Sequence, residues 1–188
     1  NVNKWDTKIE LYLTKSGKPN NKLFKGKVVG VVPKFNLPIK QMTEYSIVST
    51  IANEWNLSEI KNYKGKLFLD IQGYVRDPKK FSVKKQWPQI SSLVEYVYCL
   101  KGTSQEVKLL PKSVINVAKK KLLIITDGSN KVKVFHDNKK FEFSIVKVSN
   151  LFDYIGAGDT FFGHFVAGLY KGYTVNNAAK IAINKTRI

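Results

Sequence analysis

Short runs of apolar and β-branched residues recur along the chain and alternate with polar stretches long enough for a helical turn. Several runs are apolar throughout, which is typical of strands covered on both faces of a parallel sheet. We predict strands over 27–32, 45–49, 67–71, 96–100 and 122–126. Helices or helical turns are predicted between them, over 50–60, 88–93, 104–109 and 113–120. This alternation predicts an α/β protein with a mostly parallel sheet.

The pattern changes toward the carboxyl end of the chain. Two apolar runs, 132–136 and 141–147, flank the polar segment 137–140, which predicts an antiparallel hairpin. Two helices are predicted to follow. The first covers 159–170, and the second begins near Thr174, whose hydroxyl suits an N-cap. The sheet is therefore expected to end in antiparallel strands.

Length and composition narrow the class of protein. A chain of 188 residues is long enough for one domain with a sizeable core. No apolar stretch approaches the roughly 20 residues of a membrane span, and the one cysteine, Cys99, has no partner for an internal disulfide. We expect a cytoplasmic protein. The first residue, Asn1, and a last helical pattern without a terminator suggest a piece of a longer protein.

The formal net charge of +18 raises the alternative of a nucleic-acid-binding protein. The lysines are dispersed along the chain in short groups and are mixed with many asparagines and isoleucines. This distribution favours a solvated basic surface, and no nucleic-acid partner is expected.

The segment Gly156-Ala157-Gly158-Asp159 stands directly before the helical pattern. Its glycines let successive backbone N–H groups converge, and the start of a helix carries unpaired N–H groups and partial positive charge. These features predict an anion site. Asp159 beside it is placed to take a proton from a nucleophile that attacks a phosphoryl group. The alternative is a glycine turn followed by an aspartate that only caps the helix.

Two other phosphate motifs do not fit the chain. The dinucleotide fingerprint needs glycine where Phe161 stands, and the sequence contains no P-loop. The segment 153–169, DYIGAGDTFFGHFVAGL, instead resembles the carboxyl-terminal signature of the ribokinase-like, or PfkB, family of carbohydrate and nucleoside kinases. The resemblance implies a three-layer α/β/α fold and transfer of the γ-phosphoryl group of ATP to a hydroxyl of a sugar or nucleoside.

Residue roles follow from this resemblance. It implies that Asp159 is the catalytic base and that the amides of Gly156, Ala157, Gly158 and Asp159 form the anion hole. Asp153 matches an aspartate that often helps to hold a monovalent cation such as K⁺, although Tyr154 stands where threonine is usual.

A second matching segment resembles the family's nucleotide loop, Thr-x-Gly-x-x-Gly. Thr126 and Gly128 match the threonine and the first glycine of this loop, and the resemblance implies that they contact ATP. Lys131 replaces the second glycine. An ordinary Asp-Gly turn is the alternative.

The segment 69–76 resembles the Asp-x-Gln-Gly-x-x-Arg sequence of archaeal-type family members. It implies that Asp70, Gln72 and Arg76 face the substrate cleft, since ligands of α/β sheets gather at the carboxyl ends of strands. Arg76 would clamp a phosphate or an acidic sugar, and a solvated loop arginine is the alternative.

Residues 101–106 resemble the family's Asn-x-x-Glu element, which organises Mg²⁺-bound water. Glu106 matches the glutamate, and Thr103 replaces the asparagine. The alternative is a glutamate that stabilises the start of a helix.

The resemblance covers about residues 25–185, and family members are longer. Their amino-terminal region carries a di-glycine substrate motif and a β lid that often forms a homodimer, and neither is recognisable here. We therefore expect residues 1–188 to form a single partial kinase domain that binds ATP, Mg²⁺ and a small sugar or nucleoside. A non-catalytic nucleotide-binding relative, or an inactive fragment, stays an alternative.

Overall fold

The computed structural model describes residues 8–15, 22–29, 32, 34–77, 79–127, 130–145 and 156–186. The strands are β1 (Lys8–Lys15), β2 (Lys22–Val29), β3 (Phe35–Asn36), β4 (Tyr45–Val48), β5 (Trp55–Asn56), β6 (Lys66–Asp70), β7 (Arg76–Asp77), β8 (Lys80–Lys84), β9 (Cys99–Thr103), β10 (Leu122–Asp127), β11 (Lys131–His136) and β12 (Lys139–Ser144). The helices are α1 (Ser104–Val107), α2 (Lys112–Lys121), α3 (Ala157–Tyr170) and α4 (Val175–Thr186). Short 3-10 turns cover Ile39–Gln41, Ile60–Asn62, Pro88–Ser92 and Val94–Tyr96.

A six-stranded sheet in the order β12-β11-β10-β9-β6-β4 forms the centre of the described structure. Strands β4, β6, β9 and β10 are parallel to one another, and β11 and β12 continue the sheet in antiparallel pairing. The prediction of a mostly parallel sheet that ends in antiparallel strands is confirmed.

The strand register brings the carboxyl ends of the four parallel strands to one edge. Val48 of β4 pairs with Leu69 of β6, whose next residue, Asp70, pairs with Lys101 of β9. Thr126 of β10 pairs with the last residue of β9. Ligands of open α/β sheets bind at the carboxyl ends of the strands, so a ligand site is expected at this edge.

The two faces of the sheet are covered by different helices. On β10, Leu123 belongs to a core that includes Val114 of α2, whereas Leu122 and Ile124 belong to a core with Phe162 of α3 and with α4. Alternate side chains of a strand point to opposite faces, and the buried β10 residues on both faces explain why residues 122–125 are all apolar. The predicted three-layer α/β/α arrangement is confirmed.

The predicted helix over 50–60 is wrong. Both carboxylate oxygens of Glu54 accept from Ile51 N, at 3.2 and 3.1 Å, and one of them also accepts from Ala52 N. The Thr50 hydroxyl accepts from Asn53 N at 2.7 Å, and Asn53 has a positive φ of 62°. These local bonds satisfy backbone groups that a helix would otherwise use, so the segment forms a turn before β5.

The strand predicted over 27–32 corresponds to β2 (Lys22–Val29), which pairs antiparallel with β1 outside the six-stranded sheet. The other boundaries shift less. The strand predicted over 96–100 begins at Cys99, because Val94–Tyr96 forms a 3-10 turn. The start of α4 is confirmed, since Asn177 N donates to Thr174 Oγ1 at 3.3 Å. Within the described ranges, no helix combines the length and apolar character that crossing a membrane requires. That residues 1–188 form one partial domain stays a prediction.

Candidate active site

Helix α3 begins at the carboxyl edge of the sheet with a backbone conformation that suits glycine. Gly156 is the N-cap residue and has a φ of 81°, in the left-handed region that other residues rarely adopt. Its carbonyl accepts from Thr160 N at 2.8 Å, which closes the first turn. No side chain of the described residues caps this end. The first N–H groups of α3 therefore have no helical acceptor and can bind an anion.

Asp159 lies in this first turn, and its side chain is exposed. Ser49, the residue after β4, donates from Oγ to Asp159 Oδ1 at 3.4 Å. Together they border a cleft of about 410 Å³ that is lined by Phe35, Ser49, Thr50, Ile51, Glu54, Trp55 and Asp159. The cleft thus brings a carboxylate to a space large enough for a small polar ligand.

A larger cavity, of about 660 Å³, lies between Trp55 and Trp87. Its lining includes neither Asp159 nor any other residue of α3. We assign the candidate site to the smaller cleft, because Asp159, in the uncapped first turn of α3, lines it.

Glu54 shapes one wall of the cleft. Burial raises the pKa of its carboxyl, but hydrogen bonds from Thr50 and from the N–H groups of Ala52 and Ile51 outweigh burial and hold the pKa below its ordinary value. The carboxylate is therefore charged at neutral pH and fixes the loop that follows β4.

Asp70 and Lys101 form a buried ion pair at the same edge of the sheet. Asp70 is 1% exposed and Lys101 is 5% exposed. Lys101 Nζ donates a hydrogen bond to Asp70 Oδ2. Gln72 N donates to Asp70 Oδ1 at 3.0 Å. Burial raises the pKa of the Asp70 carboxyl, and the ammonium of Lys101 opposes that rise. Asp70 thus lies behind the surface of the cleft, and substrate binding by its side chain stays a prediction.

Arg76 connects this pair to Glu106. Arg76 Nη2 lies 3.9 Å from Glu106 Oε1, and the Gln72 carboxamide, oriented with its oxygen toward Arg76, accepts from the guanidinium. Burial lowers the pKa of Arg76, and the charges of Glu106 and Asp70 oppose that effect. Arg76 is half-buried among these polar groups. This position differs from the alternative, in which Arg76 is a solvated loop arginine.

Glu106 and Thr103 form a capping box at the start of α1. Glu106 Oε2 accepts from Thr103 N at 2.8 Å, and Thr103 Oγ1 accepts from Glu106 N at 3.3 Å. These two hydrogen bonds agree with the alternative interpretation of Glu106, in which the glutamate stabilises the start of a helix. Thr126 pairs with Thr103 across β10 and β9, which brings the predicted nucleotide loop next to the predicted magnesium element.

Among the described residues, no group of three or more His, Cys, Asp or Glu side chains is placed to hold a metal ion. The Glu106 carboxylate still fits a Mg²⁺ ion that is held mainly by water and by the phosphates of a ligand. Mg²⁺ keeps several waters and is held by one or two carboxylates together with the phosphates of the substrate. The buried Glu106 carboxylate is a suitable hydrogen-bond acceptor for such water.

Two predicted site residues, Gly128 and Asp153, lie outside the described residues. The structure brings Asp70, Gln72, Arg76 and Glu106 into one polar network and Asp159 to the neighbouring cleft. Sequence reasoning missed Ser49, Glu54 and Lys101. For Ser49 and Lys101, a position at or just after the end of a predicted strand was the available signal, since such ends carry sites in parallel sheets. Glu54 lies inside the predicted helix over 50–60 and gave no such signal.

The comparisons with known proteins decide the family. The sequence model of the pfkB family carbohydrate kinases matches residues 57–184, which is more than half of the chain. The chain belongs to the pfkB family. The family assignment made from the 153–169 segment is confirmed. A search of curated protein sequences gave no match.

Solved structures agree with the pfkB assignment in their fold. One is a sulfate complex of a pyrophosphate-dependent kinase in the ribokinase family, with 22% identity and a TM-score of 0.76, covering 96% of this chain and 68% of that chain. The Methanocaldococcus jannaschii nucleoside kinase has 22% identity and a TM-score of 0.62, covering 81% and 50%. Ribokinase from Thermotoga maritima has 16% identity and a TM-score of 0.62, covering 89% and 59%. The chain thus spans between half and about two thirds of these relatives.

Proposed function

We propose that this pfkB-family chain carries the phosphoryl-transfer site of an ATP-dependent kinase that acts on a hydroxyl of a sugar or nucleoside. One observation carries the proposal: an exposed carboxylate, Asp159, lies in the first turn of a helix whose uncapped start faces the carboxyl edge of the sheet. The arrangement joins a base to an anion site, which are the two elements that phosphoryl transfer requires.

The acceptor hydroxyl would lie in the cleft beside Asp159 and give its proton to the carboxylate. The acceptor oxygen then forms a bond to the γ-phosphorus, and the bond from that phosphorus to the β-γ bridging oxygen breaks, which releases ADP. The amides of residues 156–159 would stabilise the charge on the transferring phosphoryl oxygens. Ser49 would orient the Asp159 carboxylate through its hydrogen bond.

The donor phosphates would lie toward the ends of β9 and β10, where Thr126 and Gly128 would contact ATP. Mg²⁺, when bound, neutralises charge on the phosphates, and Glu106 would hold its water. Arg76 and Gln72 would contact the acceptor or a phosphate. A K⁺ site at Asp153 and a homodimer of the intact protein stay predictions.

The function is tested by a donor and acceptor panel with the full-length protein. ATP and inorganic pyrophosphate are each combined with sugars, inositols and nucleosides, and phosphorylated products are detected by mass spectrometry. Pyrophosphate is included because a reported structural neighbour is a pyrophosphate-dependent kinase. A product with ATP supports the proposal. A product with pyrophosphate alone would overturn the assigned donor, and calorimetric ADP binding without any product would favour a non-catalytic relative.

A further inference from the structure

A buried ammonium lies directly behind the start of α3. A Cβ atom built on Gly158 would stand 3.1 Å from Lys101 Nζ and 3.8 Å from Lys101 Cε. The same Nζ lies 5.6 Å from the centre of the Phe162 ring, one turn further along the helix. Lys101 therefore extends from β9 across the edge of the sheet and ends against the backbone of the anion hole.

The ion pair of Lys101 with Asp70 has a defined orientation. The described atoms within 4 Å of a Cβ built on Gly158 include Lys101 Nζ and Lys101 Cε. They include no atom of Asp70. The ammonium thus faces α3, and the carboxylate lies behind it on β6. Since both residues are almost fully buried, water screens this oriented charge little.

We propose that Asp70 and Lys101 are positioning residues of the proposed phosphoryl-transfer site. Asp70 fixes the Lys101 ammonium beneath Gly158, and the ammonium adds positive charge behind the amides that bind the transferring phosphoryl group. The inference rests on the proposed function for its catalytic consequence, and it assigns Asp70 a role through Lys101 in place of direct contact with the substrate.

The proposal gives a physical reason for glycine at position 158. Gly158 lies within α3 without a positive φ, so its backbone conformation accepts alanine. A Cβ at 3.1 Å from Lys101 Nζ would displace the ammonium by a few tenths of an ångström. Gly163 of the same helix is the matched control, because a Cβ there meets no atom within 4 Å.

The test measures binding of sulfate, a tetrahedral dianion that does not react, to the full-length protein by calorimetry at constant ionic strength. Asp70→Asn/Lys101→Met removes both charges while it keeps the size of the side chains, and so leaves no unpaired buried charge. We expect its dissociation constant for sulfate to rise about tenfold. The rate kcat should fall by a similar factor, with the acceptor KM unchanged. Lys66→Met is the control, because Lys66 Nζ bonds Tyr45 Oη at the opposite end of β6.

Gly158→Ala gives a second, smaller perturbation that tests the same contact. It should weaken sulfate binding in the parent protein, and its effect should disappear in the Asp70→Asn/Lys101→Met background, whereas Gly163→Ala has no effect in either. If the double variant does not fold, the comparison of Gly158→Ala with Gly163→Ala alone decides.

The inference is overturned by equal sulfate affinity in parent and variants, or by a parent protein that does not bind sulfate. If sulfate affinity falls as expected but the parent protein transfers no phosphoryl group, the proposed function is wrong while Asp70 and Lys101 still support an anion site.

Discussion

Ser49 Oγ lies 3.4 Å from Asp159 Oδ1, although 110 positions separate the two residues in the chain. The contact joins the carboxyl end of β4 to the first turn of α3. Removing the hydroxyl with Ser49→Ala leaves the carboxylate without this donor, and we expect kcat to fall about three- to tenfold. Nucleotide affinity should not change, because Ser49 is remote from Thr126. Steady-state kinetics and calorimetry with ADP measure the two quantities.

Ser46→Ala is the control on the same strand, since Ser46 Oγ donates to Thr43 O at 3.0 Å, far from the cleft. Equal kcat values for Ser49→Ala and Ser46→Ala would show that the Ser49 contact does not orient Asp159.

Glu106 has two separable roles, and two substitutions distinguish them. Glu106→Gln keeps an oxygen that can accept from Thr103 N, so the free energy of unfolding should change by less than about 0.5 kcal/mol, whereas Glu106→Ala removes the cap and should cost about 1–2 kcal/mol. Both variants should need more Mg²⁺ for half-maximal activity if Glu106 holds the metal through water. Urea unfolding and a Mg²⁺ titration of the rate give these values. An unchanged Mg²⁺ requirement in Glu106→Gln would leave Glu106 with only its capping role.

Two glycines of α3 should respond in opposite directions to alanine. Gly168→Ala places a Cβ 3.0 Å from Ala178 Cβ and 3.2 Å from its Cα, so α3 and α4 must move apart, and we expect a loss of about 1–3 kcal/mol. Gly163→Ala enters open space and should stabilise the helix by about 0.5–1 kcal/mol. Urea unfolding of the full-length protein measures both. Stabilisation by Gly168→Ala would contradict the close packing of α3 on α4.

The hairpin of β11 and β12 carries a pH-dependent ion pair. Hydrogen bonds from Lys131 and Lys140 lower the pKa of Glu142 to about 2. Because this pKa lies below that of the unfolded chain, near 4.3, the contribution to stability is present above that unfolded value and is lost as the pH falls toward 2. Glu142→Gln should therefore lower the unfolding midpoint at pH 6 and have a much smaller effect near pH 2. A carbon NMR titration of the Glu142 carboxyl measures the pKa directly. A value near 4.3 at low salt would contradict the contacts with both lysines.

Strands buried on both faces were predictable because their pattern is local. The apolar run at 122–126 became β10, with buried side chains on both sides of the sheet. Strand β1 was missed although its first residues alternate lysine, isoleucine, glutamate and leucine, which is the period-two pattern that indicates a strand. The false helix at 50–60 followed from the length of the stretch between two predicted strands. The Glu54 side chain prevents a helix there by accepting hydrogen bonds from the backbone N–H groups of Ile51 and Ala52.

The candidate site likewise has a part that is local in sequence and a part that depends on contacts between distant residues. The proposed Gly156–Asp159 anion hole is one contiguous segment, so the sequence alone could suggest it. The contact of Ser49 with Asp159 depends on which strand lies beside α3, and the contact of Lys101 with Asp70 depends on the register of β9 against β6. A local sequence pattern indicates neither the order of the strands nor their register. These long-range partners therefore required the three-dimensional structure.

The central claim is that Asp159 is the base of a phosphoryl-transfer reaction, and Asp159→Asn tests it most directly. Asparagine keeps the size of the side chain and removes its ability to accept the proton. The measurement is the initial rate of acceptor phosphorylation by the full-length protein, with ADP affinity determined in parallel. We predict that kcat falls by at least about a hundredfold while the affinity for ADP stays within about twofold. Full activity in Asp159→Asn would contradict the mechanism.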